Sequence, residues 1–407
     1  MNDEELLVHY WQLPDDLFVS LKEEFHNKLC YQIQVLTKHY KKNCFYKVLN
    51  CPKWHAQRLF TKFTRIRLSE LEIIREYANI SKEEVEISLE EIGNHEDGTI
   101  IKNPKLPFKM IDIFYVASHL MFDGCFMPKK GCYFLCYGDS LFDYHTNRLK
   151  VFGEVPTNYI EKKHQLYFSY TIAYIVSKML KISDFRSMKV FLSDKFKSLV
   201  KENKILLDEF IKAMITDEGA VDDKIRIELG NNEKFVKDIY EVVSIYYKLN
   251  KLSSRERFIR FKENPKWNYK TTLWKIDFST ESFIELHRSL GQLPIGYKQR
   301  NFDFLLEWKS KRWNQRRVGE SKKLILKSLL KKPKSIQELS NELLVKNNVV
   351  SVHLKGNHNK KNSLYSLRIV EKIGEEILHK GGFARRDIYG IIDEEKAKEY
   401  IKNITTN

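Results

Sequence analysis

The sequence has no run of about 18 apolar residues, which excludes an ordinary membrane-spanning helix. It has no Cys-x-x-Cys pair either. Cys44, Cys51 and His55 are the nearest thing to a zinc set, and without that pair they do not spell a structural zinc site. The opening residues, MNDEELLVHYW, lack the basic and apolar run of a signal peptide. Acid is in short supply: 54 Asp and Glu face 70 Lys and Arg, a formal charge of +16 that suits a polyanionic partner. An intracellular, nucleoid-associated protein is expected, with its six cysteines reduced.

The 407 residues allow two or three domains. Residues 1–108 read as mostly helical. Within them RLSELEIIREYANISKEEVEISLEEIG has apolar residues at helical spacing, broken near Asn79 to Ser81. This reads as two short helices and a turn, compatible with either a helix-turn-helix or a structural pair. The stretch NPKLPF, residues 103–108, carries two prolines and predicts an extended linker.

After the linker one pattern occurs twice, in 109–202 and 203–318. Each copy reads as helix, strands, helix, strands, helix, and such a repeat weighs heavily in a fold assignment. The opening helices are IDIFYVASHLMFDG, residues 111–124, and LLDEFIKAMITDEG, residues 206–219. Laid over each other on their ends, VASHLMFDG matches IKAMITDEG. Ser118 and Ala213 then supply small side chains at the same step, and Asp123 and Glu218 each precede a glycine, Gly124 and Gly219. The acids lie 218 − 123 = 95 residues apart, the length of a half-domain. Packed helices need small residues where their axes approach. Glycine at the end allows a tight exit. Acids brought together at matching ends call for a cation, and Mg²⁺ prefers such oxygen ligands.

These two segments resemble the paired motifs of the LAGLIDADG homing endonucleases, in the two-motif, single-chain form. The resemblance covers roughly residues 109–318. It implies an α+β fold of two pseudo-symmetric αββαββα half-domains, monomeric with an internal pseudo-two-fold, whose sheets form a saddle on double-stranded DNA. Asp123 and Glu218 would then hold catalytic Mg²⁺ or Mn²⁺, and Ser118, Gly124, Ala213 and Gly219 would form the helix interface. A lysine near the scissile phosphates is implied too: Lys298 by its place after the last strand, with Lys224 as a weaker choice. The sequence departs from the pattern at Met121-Phe122 and Thr216-Asp217, where the family has Asp-Ala. The implied activity is metal-dependent cleavage of DNA. Relatives that bind DNA without cutting, or that act on RNA, leave those alternatives open.

Residues 298–332 hold 12 basic residues, among them Lys309, Lys311, Arg312, Arg316 and Arg317, interleaved with Trp308 and Trp313. They read as a phosphate-tracking stretch or as a solvated helix with snorkelling lysines. Residues 319–407 form a last domain. Three helical segments, the third beginning near Asn347, are followed by two strands around Gly381-Gly382. This resembles a winged helix over residues 320–392, with Lys380, Arg385 and Arg386 on the wing.

Overall fold

The computed structural model describes residues 6–38, 45–52, 54, 56, 65–95, 99–127, 131–185, 190–222, 224–230, 232–259, 269–310, 319–343, 345, 347–356, 363–377 and 385–403. The chain is of mixed α and β structure with several small antiparallel sheets. It forms two compact units. One is Met1–Ala220 with Arg226–Gly296, and the other is Val221–Ile225 with Tyr297–Asn407.

The expectation of a mainly helical region before residue 109 is corrected. Helices Glu23–Thr37, Leu68–Tyr77 and Lys82–Ser88 are present, but they accompany a four-stranded antiparallel sheet. Its strands run in the order Ile66–Arg67, Phe18–Leu21, Leu89–Gly93, Ile100–Lys102. The predicted break between the two short helices is there: Asn79 sits at φ 53°, and the Ser81 hydroxyl accepts from Glu84 N at 3.1 Å to cap the second. The LEEIG that follows is a strand instead of a continued helix. It puts Leu89 and Ile92 in the core while its backbone pairs with strands on both sides. The linker ends in Phe108–Lys109, which pairs with Leu7–Val8.

Two blocks with the same element order follow. In the first, helix Met110–Met121 leads into strands Cys125–Met127 and Gly131–Leu135, helix Asp139–Leu149, strands Thr157–Ile160 and Gln165–Phe168, and helix Tyr170–Leu180. In the second, helix Lys204–Glu218 leads into Gly219–Val221 and Ile225–Gly230, helix Glu233–Val243, strands Ser253–Ile259 and Tyr269–Asp277, and helix Phe283–Leu290. In each sheet the strands lie in the order first, second, fourth, third of their block. The inner pairs are antiparallel, Tyr133 opposite Tyr167 in one and Ile227 opposite Ile276 in the other.

Besides Val221–Ile225, the second unit holds helix Gly296–Ser310 (residue 296 itself grouping with the first unit). It continues with helices Glu320–Leu329, Ile336–Leu343 and Asn347–Lys355, the hairpin Val370–Ile377 and Arg385–Ile391, and a last helix Glu394–Asn403. The short strand Lys334–Ser335 joins the hairpin as its third member. Ile325, Leu326, Leu339, Val350, Leu354 and Tyr389 make its core. Lys334 is buried, but its ammonium donates to Ser328 Oγ and to the Glu342 carboxylate, so the charge is answered.

Candidate functional site

The two opening helices are buried almost all round. Every residue from Asp112 to Met121 is buried, as are Leu206, Leu207, Phe210, Ile211, Ala213, Met214 and Ile215. Helices apolar on all faces belong in a core, and these two pack against each other. Phe196 fills the seam beside them, its ring 4.7 Å from Phe114 and 5.2 Å from Phe210. Ser118 is fully buried and Ala213 is 1% exposed. The Ser118 hydroxyl satisfies itself on Phe114 O at 2.6 Å. Phe122, bulky at the end of the first helix, is packed with ring centroids 5.4 Å from Phe210 and 5.9 Å from Phe235.

Two polar ties join the helices, and neither was anticipated from the sequence. His119 Nδ1 lies 2.8 Å from one Asp217 oxygen and 3.1 Å from the other, with side chains only 3% and 4% exposed. Burial, and then the positive charges of Arg148 and Lys212, push His119 down to about 3. The imidazole is therefore neutral at pH 7, and Nδ1–H donates to the carboxylate. Nearer the other end, Arg148 Nη2 reaches Asp112 at 3.3 Å and Glu209 at 3.0 Å. Burial alone would lower Arg148, but Glu209, Tyr144 and Asp112 outweigh it and hold it cationic. Its guanidinium also lies 4.4 Å from the Tyr115 ring centroid.

These ties fix the sense of the pair. From Asp112 to His119 is seven residues along the first helix, and from Glu209 to Asp217 is eight along the second. At 1.5 Å per residue those are rises of roughly 10 and 12 Å in the same direction, so the helices run parallel. Asp123 and Glu218 consequently lie at the same end. Burial first, then the negative charge of Asp123 and of Glu218, raises the phenol of Tyr137. Tyr137 follows strand Gly131–Leu135 and is 57% exposed. Its ring centroid is 5.5 Å from that of His164.

The glycines are required by close approach, whereas positive φ plays no part in the second: Gly219 sits at φ −80°. A Cβ on Gly124 would lie 2.5 Å from His119 O, and one on Gly219 would lie 2.5 Å from Ile215 O. Each exit therefore folds directly over the helix it leaves, and Gly124 N and Gly219 N donate back to those same carbonyls.

The other site residues are placed separately. Lys298 belongs to the second unit, in the first turn of helix Gly296–Ser310, and is 5% exposed. Lys224 lies in the turn before Ile225–Gly230, its backbone N–H donating to Asp222 Oδ1. Lys309 ends its helix without a described side chain, and Lys311, Arg312, Arg316, Arg317 and Lys380 lie outside the described residues. So do Cys44 and His55. Arg385 opens the last strand with its side chain undescribed, and Arg386 Nη1 is 4.0 Å from Glu376. The same hairpin spends Lys372 on Glu375 and Asp387, and Lys355 reaches Asp387 from the third helix. Among the described residues, Lys355, Lys372 and Arg386 thus each stand beside an acid of this hairpin.

Among the described residues no helix is long and apolar enough to cross a membrane, and no three or more of His, Cys, Asp and Glu gather as metal ligands. No family model, no curated protein and no solved structure matches the chain.

Proposed function

We propose that this protein is a site-specific double-stranded DNA endonuclease of the LAGLIDADG kind, with Asp123 and Glu218 as ligands of the divalent metal. One observation carries the reading: the His119–Asp217 and Arg148 ties run the two opening helices parallel, so that both acid-glycine ends stand at the same end of the pair. The matching element order and strand order of the two blocks support an internal pseudo-two-fold. A monomer so built addresses both strands of a duplex. Two carboxylates fit Mg²⁺, which is commonly held by one or two acids together with substrate phosphates. Bound there, such an ion would supply Lewis-acid stabilisation and an activated water. The chain's own part is to hold the two carboxylates in register and to offer each sheet as a surface for the major groove. The arrangement of three helices and a hairpin in the second unit supports a winged-helix contact to nucleic acid, most of the affinity coming from phosphate neutralisation.

A second reading is a DNA-binding regulator on the same fold. The N-terminal sheet and the C-terminal helices and hairpin, lying outside the two paired blocks, favour it. Incubation with a randomised duplex library, in Mg²⁺ and in EDTA, followed by sequencing of bound and cut molecules, separates the two. Cleavage at a discrete sequence only in Mg²⁺ is expected. Enriched but uncut duplexes in both would leave the regulator, and enrichment of structured RNA over any duplex would move the assignment to RNA.

A further inference from the structure

A cleft of about 620 Å³ opens between the strand Ile100–Lys102, the linker after it, and the loop that follows helix Asp139–Leu149. That is the size of a small-molecule site. Lys102, Lys105 and Lys150 line it, against a single acid, Glu154. The acid is already engaged, because Asn103 Nδ2 donates to its carboxylate at 2.7 Å. Lys150 donates to Asn147 Oδ1, a neutral partner, at 3.2 Å. The ammonium groups of Lys102 and Lys105 have no hydrogen bond or ion pair with any described residue. Positive charge is gathered here and left unanswered, unlike that of Lys334, Lys355 and Lys372 in the second unit.

The walls are built to keep their shape. Lys102 and Glu154 exchange backbone hydrogen bonds at 3.1 and 2.8 Å, Lys105 N donates to Phe152 O at 3.2 Å, and Asn103 N donates to Glu90 O at 2.8 Å. Gly153, at φ +129°, presses so close that a Cβ would lie 2.7 Å from the carbonyl oxygens of Lys102 and Asn103. Only glycine allows both that φ and that approach. Val155 and Pro156 make part of the lining apolar. A bare anion has no use for apolar walls, and an apolar ligand has no use for three ammoniums. Lysine without arginine suits phosphate met as a point charge better than a carboxylate gripped at two points.

We propose that this cleft binds a nucleoside phosphate, the phosphate among Lys102, Lys105 and Lys150 and the base or sugar against Val155 and Pro156. The inference does not rest on the endonuclease reading. The nucleotide is either free or one unit of a strand, and the test separates these sources. Binding of dTMP, of inorganic phosphate and of a thymidylate 12-mer is measured by calorimetry over a salt series. The wild type is compared with the triple variant Lys102→Ala, Lys105→Ala, Lys150→Ala and with Val155→Asp, and equal melting temperatures show that the substitutions leave the fold intact. Expected is dTMP binding tighter than phosphate, weakened about tenfold or more in the triple variant, with the preference over phosphate lost in Val155→Asp. If only the 12-mer binds, and the triple variant lowers its salt slope by about 0.7 per lost contact, the ligand is a strand. If the triple variant binds all three probes as the wild type does, or no probe binds better than phosphate, the proposal is overturned.

Discussion

At the end of the first opening helix, a Cβ on Gly124 would lie 2.5 Å from the carbonyl oxygen of His119. At the end of the second, one on Gly219 would lie 2.5 Å from that of Ile215. The two ends are alike to that degree, yet the helices leading to them share little. The first sends Tyr115 and His119 among Phe134, Tyr144 and His145 of its own block, with Tyr115 Oη 2.5 Å from His145 Nδ1. The second sends Phe210 to Phe196 and Phe122. The difference separates two kinds of constraint. A helix exit that folds onto its own last turn admits one residue type, so both copies keep it. A helix body need only fit its neighbours, and the two bodies fit different ones.

The strongest test of likeness at the ends is chemical. On the proposed endonuclease reading, Asp123→Asn and Glu218→Gln should each reduce cleavage of the selected duplex to background while leaving binding nearly unchanged, because affinity would come from phosphate contacts elsewhere. Single-turnover cleavage beside a filter-binding titration measures both. Full cleavage by the double variant would remove the acids from the site.

Unlikeness in the bodies should show as unequal costs across the His119–Asp217 tie. His119→Leu takes a donor from a buried carboxylate and should cost roughly 3 kcal/mol. Asp217→Leu leaves a neutral imidazole behind and should cost only about 1–2 kcal/mol. Urea unfolding of both, and of the double variant, measures the difference. Equal costs that simply add would mean the pair is not coupled.

A smaller effect is expected where the helix axes approach. Ser118→Leu or Ala213→Leu should cost about 1–3 kcal/mol by overpacking. Each should also lower cleavage more than stability, since a shift of about 1 Å in a reacting group can cost roughly a hundredfold. Wild-type melting and cleavage in both variants would show that the helices do not meet there.

A further test is a pH effect confined to the first helix's surroundings. Burial holds His119 down to about 3 and holds His145 well below the usual histidine value. The folded chain keeps both neutral, while the unfolded chain takes up protons near pH 6.5. Stability is therefore complete above that pH and falls below it, by up to about 1.4 kcal/mol per pH unit for each histidine. Burial raises Asp112 and Glu209 instead, and these act in the opposite sense at lower pH. The window is thus pH 7 to 5.5. A denaturation midpoint that is flat or rising as pH falls through it would show that the imidazoles are not buried as described.

Much of this was legible in the sequence where a pattern was local. The acid-glycine ends, the small residues Ser118 and Ala213, the strand-into-helix passage from Gln165 to Leu180, and the three helices before the last hairpin are all written in consecutive residues. The N-terminal sheet was not, because its strands are two to five residues long, too short to show a period of two, and their partners are distant in sequence. His119–Asp217 was invisible for a related reason. A histidine on an apolar helix announces nothing until another helix 98 residues away brings an acid to it. Tyr137 left a faint sign: it stands just after the alternating CYFLC and just before Gly138, where a chain leaving a strand exposes a side chain.

The parallel run of the two opening helices has an electrostatic consequence. Each helix concentrates roughly half a negative charge at its C-terminal end, and parallel neighbours place both halves together. Two carboxylates are set at that same end, so it gathers close to three negative charges against the edge of a buried core. Adding Mg²⁺ should raise the melting point of the wild type while leaving that of the Asp123→Asn, Glu218→Gln double variant where it was. The melting curve would then report the charge at this end without any DNA present.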